Sequence, residues 1–201
     1  MCIRDRNTSD LGMVFMTTSD GKTRAKKIIQ NFVTENPEKQ YLLDNFSDDL
    51  GEMGNISLKQ KCFDIAQVAY DMACEIDEII TKAEPNNGKW LRRLSISYEN
   101  CGDLARERGD AILAKTFFKK SITVMTDVKE QNKETRCELA SLYGKLIYVS
   151  VITDDYEEFY NASTAAIKVL HLADNLDGIS LDNRKFLTLL TAAISEEKSF
   201  G

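Results

Sequence analysis

"LSISYENCGDLARERGDAILAKTFFKKSITV" (Leu94–Val124) is the stretch whose reading decides the fold. Its first half places Leu94, Tyr98, Cys101 and Ala105 at steps of three and four, and Leu91 extends the stripe upstream. That spacing is one face of an amphipathic helix. Gly109 breaks the pattern, and Asp110 follows where a helix N-cap is expected. A second stripe runs through Ala114, Phe117, Phe118, Ser121, Ile122 and Met125. The stretch is therefore two helices joined by a short turn. Period-two alternation is sustained nowhere in the chain, so no sheet is expected.

The pattern recurs. "FSDDLGEMGNISLKQKCFDIAQVAYDMACEI" (Phe46–Ile76) aligns with it without a gap, setting Gly54 on Gly102, Ala66 on Ala114, Tyr70 on Phe118 and Ile76 on Val124 at an offset of 48 residues. Pro37 and Pro85 keep the same offset. Downstream, Leu94 maps to Leu139, Tyr98 to Tyr143, Ser121 to Ala166 and Val124 to Val169, an offset of 45 residues, with the missing three assigned to the connection around 127–133. "KTRAKKIIQNFV" (22–33) has the form of the second helix of an earlier copy. The expected organisation is a partial copy over 7–37, copies at about 38–85, 86–132 and 133–177, and a terminal helix over 180–199. Helices of about 20 residues, roughly 30 Å, fit this pitch.

Tyr98-x-x-Cys101-Gly102-x-x-Ala105, then Gly109, then Ala114-x-x-x-Phe118-x-x-Ser121, resembles the tetratricopeptide repeat. Leu50, Met53, Gly54, Ala66, Tyr70 and Ala73 carry the motif in the preceding copy; Tyr143, Leu146, Ser163 and Ala166 carry it weakly in the following one, where Ile147 replaces the glycine and Phe159 the first alanine. The pitch exceeds the usual ~34 residues, and no proline ends the second helix at the expected place. The resemblance implies an all-α, right-handed solenoid of antiparallel helix pairs, with Gly102 facing Ala114 across a tight pair. One pair cannot bury its apolar stripe alone, so neighbours stack. The resemblance further implies a non-enzymatic scaffold that binds a peptide or protein partner in a concave groove lined by the first helices. Carried onto this chain, the groove positions are Asp48 and Asn55; Ile96, Glu99, Asp103 and Arg106; and Ser141, Tyr148, Val151 and Ile152. A partner with a basic segment and an apolar anchor complements that set. The alternative is the C-terminal sensor or regulatory region of a longer bacterial signalling enzyme whose catalytic domain lies outside these residues.

Composition agrees with a helical interaction domain. Of 201 residues, 43% are hydrophobic and 29% charged, and only 2 are proline. The net charge of −6, without a Lys/Arg stripe, argues against binding nucleic acid or an anionic membrane. No apolar run approaches the roughly 20 residues that cross a bilayer. Cys62, Cys74, Cys101 and Cys137 form no C-x-x-C pair and lie within helical patterns, so they are read as small hydrophobes of a reducing, cytoplasmic compartment. With one histidine in the chain, no metal site and no cofactor are expected.

Other motifs have structural readings. "SDGKT" (19–23) has the tail of a phosphate-binding loop, but Met16 stands where its first glycine belongs, so Asp20-Gly21 is read as the turn opening a helix. "RGD" (108–110) spans the break between two helices. His171 lacks a recognisable nucleophile and orienting partner, so no catalytic role is assigned. Trp90 is read as a packing anchor between copies. The opening "MCIRDR" looks like a translated transposon-end sequencing adapter, so residues 1–6 are excluded from fold reasoning.

Overall fold

The structure is a computed structural model that describes residues 19–129 and 132–171, with side chains placed from 23 to 129 and from 132 to 169. The adapter-like residues 1–6 and the terminal helix assigned to 180–199 lie outside the described residues, as does the His171 side chain. Within them the fold is all-α: α1 (Ser19–Glu35), a 3-10 turn (Pro37–Lys39), α2 (Gln40–Lys59), α3 (Phe63–Ala83), α4 (Gly88–Glu107), α5 (Ala111–Thr126), α6 (Lys133–Ile152) and α7 (Tyr156–His171). Asp20 and Gly21 lie in the first turn of α1, the turn that opens the helix.

The helix starts follow the alignment. α2 and α4 begin 48 residues apart, as do α3 and α5; α4 and α6 begin 45 apart, as do α5 and α7. The three-residue loss, however, is not in the connection. α5 stops at Thr126, five residues short of the register set by Ala83 in α3, and the connection to α6 is two residues longer than that between α3 and α4. The helix ends early at Asp127, Val128 is buried beyond it, and the Asn132 side chain caps α6 by accepting from the Thr135 N–H.

The turns inside the pairs share one geometry. After α4, Gly109 is left-handed (φ 81°), its N–H bonds to the Arg106 carbonyl, and the Asp110 N–H bonds to the Ala105 carbonyl. This is a Schellman cap, which satisfies carbonyls that the helix end leaves free. Asp110 then caps α5 by accepting from the Leu113 N–H at 3.0 Å. After α6 the same bonds run from Asp154 to Val151 and from Asp155 to Ser150; Asp154 takes φ 52°, and Asp155 accepts from the Glu158 N–H. After α2 they run from Lys61 to Leu58 and from Cys62 to Ser57, with Lys61 at φ 59°. Lysine has a Cβ and no local side-chain bond to offset the left-handed conformation, so this turn is the strained member of the three.

The chain divides into two compact units, residues 1–104 and 105–201, and the division falls inside α4. In the first, α3 packs against both α1 and α2. Val33 of α1, Leu50 of α2, Ala73, Ile76, Ile79 and Ile80 of α3, and Trp90 of α4 form one buried cluster. Trp90 is a packing residue as expected from its place before the α4 stripe; the Thr81 hydroxyl donates to its carbonyl, and Lys89 lies 4.4 Å from the ring centroid. In the second unit α6 packs against both α5 and α7. Its core holds Phe118, Met125, Leu142, Ile147 and Val149, all nearly inaccessible to solvent. Gly102 and Ala114 are both buried and belong to different units.

Gly54 shows what the motif glycine does in the first pair. A Cβ there would sit 2.5 Å from Cδ1 and 2.9 Å from Cζ of Tyr70, and closer still to Cε1. Tyr70 is 1% exposed and its ring cannot swing away. Gly54→Ala is expected to lower stability by about 1–3 kcal/mol through overpacking. Gly51, three residues earlier on the same helix, has nothing within 4 Å of such a Cβ. Gly51→Ala should therefore raise stability, by about 0.5–1 kcal/mol from helix propensity alone. Urea melts of the two variants check the contrast; equal shifts would refute the close α2–α3 approach.

Candidate functional site

The groove positions lie on α2, α4 and α6, the first helices of the three pairs. In the first unit Asp48 is exposed, and its carboxylate takes the Arg93 guanidinium at 2.6 Å. Asn55 is exposed and its amide oxygen accepts from the Tyr70 hydroxyl at 2.7 Å. Ile96 is exposed, while Glu99 and Asp103 are half-buried. Burial, and secondarily the Asp103 carboxylate, push the Tyr70 phenol up to about 12, so it stays a neutral donor to Asn55.

The second unit holds the rest. Arg106 is half-buried and 3.5 Å from Glu107. Ser141 is half-buried, whereas Tyr148, Val151 and Ile152 are each more than half exposed near the end of α6. The structure thus places Asp48, Asn55, Ile96, Glu99 and Asp103 in one unit and the other five in the second. Two exposed aromatics of the second unit, Tyr156 and Tyr160 on α7, were not among the sequence candidates. Both stand in "DDYEEFY" (154–160), where the acidic residues have the pattern of a helix start.

The sequence reading also missed a charged cluster joining α2, α3 and α4. Arg93 lies 2.9 Å from Asp44, 2.6 Å from Asp48 and 3.6 Å from Asp77; Lys89 lies 2.6 Å from Asp44. The Ser97 hydroxyl donates to Asp77 at 2.5 Å. Asp77 is 2% exposed, and burial raises its carboxyl above the ordinary value despite the opposing Ser97 bond and Arg93 charge. Of the adjacent pair Asp48-Asp49 both side chains are exposed, and Asp48 is held by a cation. Nearby, the Cys74 and Cys101 sulfurs are 3.5 Å apart and buried, and this contact, with burial, raises the Cys74 thiol. Among the described residues the other buried thiol is Cys137; Cys62 is exposed.

In the second unit Lys115 pairs with Asp155 at 2.7 Å and Lys119 pairs with Glu158, tying α5 to the start of α7. The Lys115 bond holds the half-buried Asp155 carboxyl below its ordinary value. No group of three or more His, Cys, Asp or Glu among the described residues is placed to hold a metal ion. No described helix is long and apolar enough to cross a membrane. A scan against protein-family models finds no match, and a search of curated proteins finds no similar sequence.

Proposed function

We propose that the chain is a non-enzymatic interaction scaffold of tetratricopeptide-like helix pairs, arranged as a right-handed solenoid, whose first helices bind a peptide or protein partner. The observation that carries this reading is the threefold return of one helix-pair unit with the same Schellman turn at Lys61, Gly109 and Asp154. A unit repeated in this way presents the same helix at the same place in each copy. In repeat proteins such faces become extended binding surfaces.

The candidate surface has two kinds of chemistry. Asp48, Glu99 and Asp103 offer carboxylates in the first unit; Tyr148, Val151 and Ile152 offer exposed apolar area in the second. A peptide with a basic segment and an apolar anchor matches both: charge sets steering, and a buried aromatic supplies affinity.

The test is a peptide-array or pull-down screen with the whole chain, repeated with Asp103→Lys and Tyr148→Ala. A partner held on this face should lose about tenfold or more in affinity with each, the equivalent of ~1.4 kcal/mol. A binder that holds equally well to both variants places the partner surface elsewhere.

A further inference from the structure

α3 and α4 meet along a ladder of paired groups. The Thr81 hydroxyl donates to the Trp90 carbonyl, the Tyr98 hydroxyl to Glu78 at 2.8 Å and the Ser97 hydroxyl to Asp77. Numbers fall along α3 as they rise along α4, so the helices run antiparallel. The next rung joins Cys74 to Cys101, with sulfurs 3.5 Å apart. Both thiols are buried.

The repeat register shows that packing alone does not ask for cysteine at this rung. Cys74 corresponds to Ile122 on α5, and Cys101 to Leu146 on α6, at the 48- and 45-residue offsets. Both counterparts are buried. The second unit thus holds two aliphatic side chains at these positions, and the first holds two sulfurs in contact. Reading each cysteine as a small hydrophobe accounts for its burial but not for the contact.

The helices are held where a bond between those sulfurs is within reach. A disulfide needs its sulfurs about 2.05 Å apart, so the gap to close is about 1.5 Å, which side-chain rotation covers. The Asp77–Ser97 rung lies three residues from Cys74 and four from Cys101, about one helical turn on each helix, and fixes the spacing of the two backbones.

We infer that Cys74 and Cys101 are a redox-active dithiol that closes to a disulfide tying α3 to α4. The oxidant that fits is a small peroxide, because both thiols lie below the surface. One sulfur, as thiolate, attacks a peroxide oxygen. The O–O bond breaks, a sulfenic acid forms, and the departing hydroxide takes up the thiol proton as water. The second sulfur attacks the sulfenic sulfur; the S–S bond forms, the S–O bond breaks, and the hydroxyl leaves with the second thiol proton as another water. Two thiols give up two electrons, one hydrogen peroxide accepts them, and the products are one disulfide and two waters. Burial and the sulfur contact hold the Cys74 thiol protonated, so the pair reacts more slowly than the exposed Cys62 and responds to sustained oxidation. The inference rests on the α3–α4 contact and not on the partner groove.

The test uses the whole chain carrying Cys62→Ser, because Cys62 and Cys74 share the tryptic peptide 62–82. The substitution is mild, since position 62 is the exposed N-cap of α3 and serine suits a cap. The reduced protein is treated with hydrogen peroxide, its free thiols are alkylated, and it is digested without reduction. The expected product is peptide 62–82 linked to peptide 94–106, separated again by dithiothreitol. The bridged chain should melt at least ~5 °C above the reduced one, because closing a loop between residues 27 apart restricts the unfolded chain. Peroxide-treated Cys101→Ala, in the same background, should show no such rise. Recovery of Cys74 and Cys101 as free thiols or sulfinic acids overturns the inference. So does a linked product that forms only in urea, or a bridged chain that melts no higher than the reduced one.

Discussion

Arg93→Ala should remove about 3–5 kcal/mol of stability, the range expected when one partner is taken from a buried ion pair. The guanidinium is 16% exposed and sits between Asp44 and Asp77, which are 7% and 2% exposed. Without it, Asp44 keeps Lys89 at 2.6 Å, but Asp77 keeps only hydroxyl donors for its charge. The loss comes from stranded carboxylate, not from the exposed Asp48 contact, so Asp48→Ala alone should cost under about 1 kcal/mol. The pH dependence separates these terms. The folded-state value of Asp77 is raised, so its contribution is fully present below the ordinary carboxylate range and is lost as pH rises through the shifted value. Removing Arg93 raises that value further, so the Arg93→Ala deficit should shrink on acidification. Asp77→Asn should abolish the pH-dependent part. Urea melts between the ordinary carboxylate range and neutrality check this; a deficit constant with pH would mean that Arg93 acts through packing alone.

Phe118→Ala should cost about 3–5 kcal/mol by leaving a cavity in the second unit. The ring is fully buried on α5, with the Lys145 ammonium 5.7 Å from its centroid on the α6 side. It holds the place that Tyr70 holds 48 residues earlier, where the ring fills the space left by Gly54. The neighbouring Lys119 points outward to Glu158 and is 55% exposed. Lys119→Ala should therefore fall within about 1 kcal/mol of the parent. A Phe118→Ala variant as stable as the Lys119→Ala variant would show that the α5 register is misplaced.

The helix boundaries were legible because Gly54, Gly102, Ala66 and Ala114 mark fixed points of the pair, and the 48- and 45-residue offsets carry with them the starts of all six helices of the three pairs and the ends of α2, α4 and α6. The first turn was less so. Gly109 announces a left-handed residue, whereas Lys61 does not, since lysine gives no turn signal; only its offset from Gly109 points there. The shortened α5 was misassigned to a loop because a deletion in a repeat is placed by alignment, and alignment does not see where hydrogen bonding stops.

The candidate surface was legible only as residue types. Asp44, Asp48, Lys89 and Arg93 each look like solvated helix charges, and nothing in a linear pattern says that two helices set residues 45 positions apart against one another. Exposure on α2 was hidden for the opposite reason. Leu42, Phe46, Met53 and Ile56 have the spacing of a core face yet are exposed, and periodicity reports that a face is apolar, not whether a neighbour covers it.

The central claim is that three copies of one helix-pair unit make up residues 40–171. Backbone chemical shifts and the three-bond HN–Hα coupling at Lys61, Gly109 and Asp154 test it most directly. The account predicts left-handed backbone at all three, 48 and 45 residues apart, with the N–H groups of Cys62, Asp110 and Asp155 protected from exchange by the carbonyls of Ser57, Ala105 and Ser150. Right-handed or extended backbone at Lys61 and Asp154, with those N–H groups exchanging freely, would contradict it.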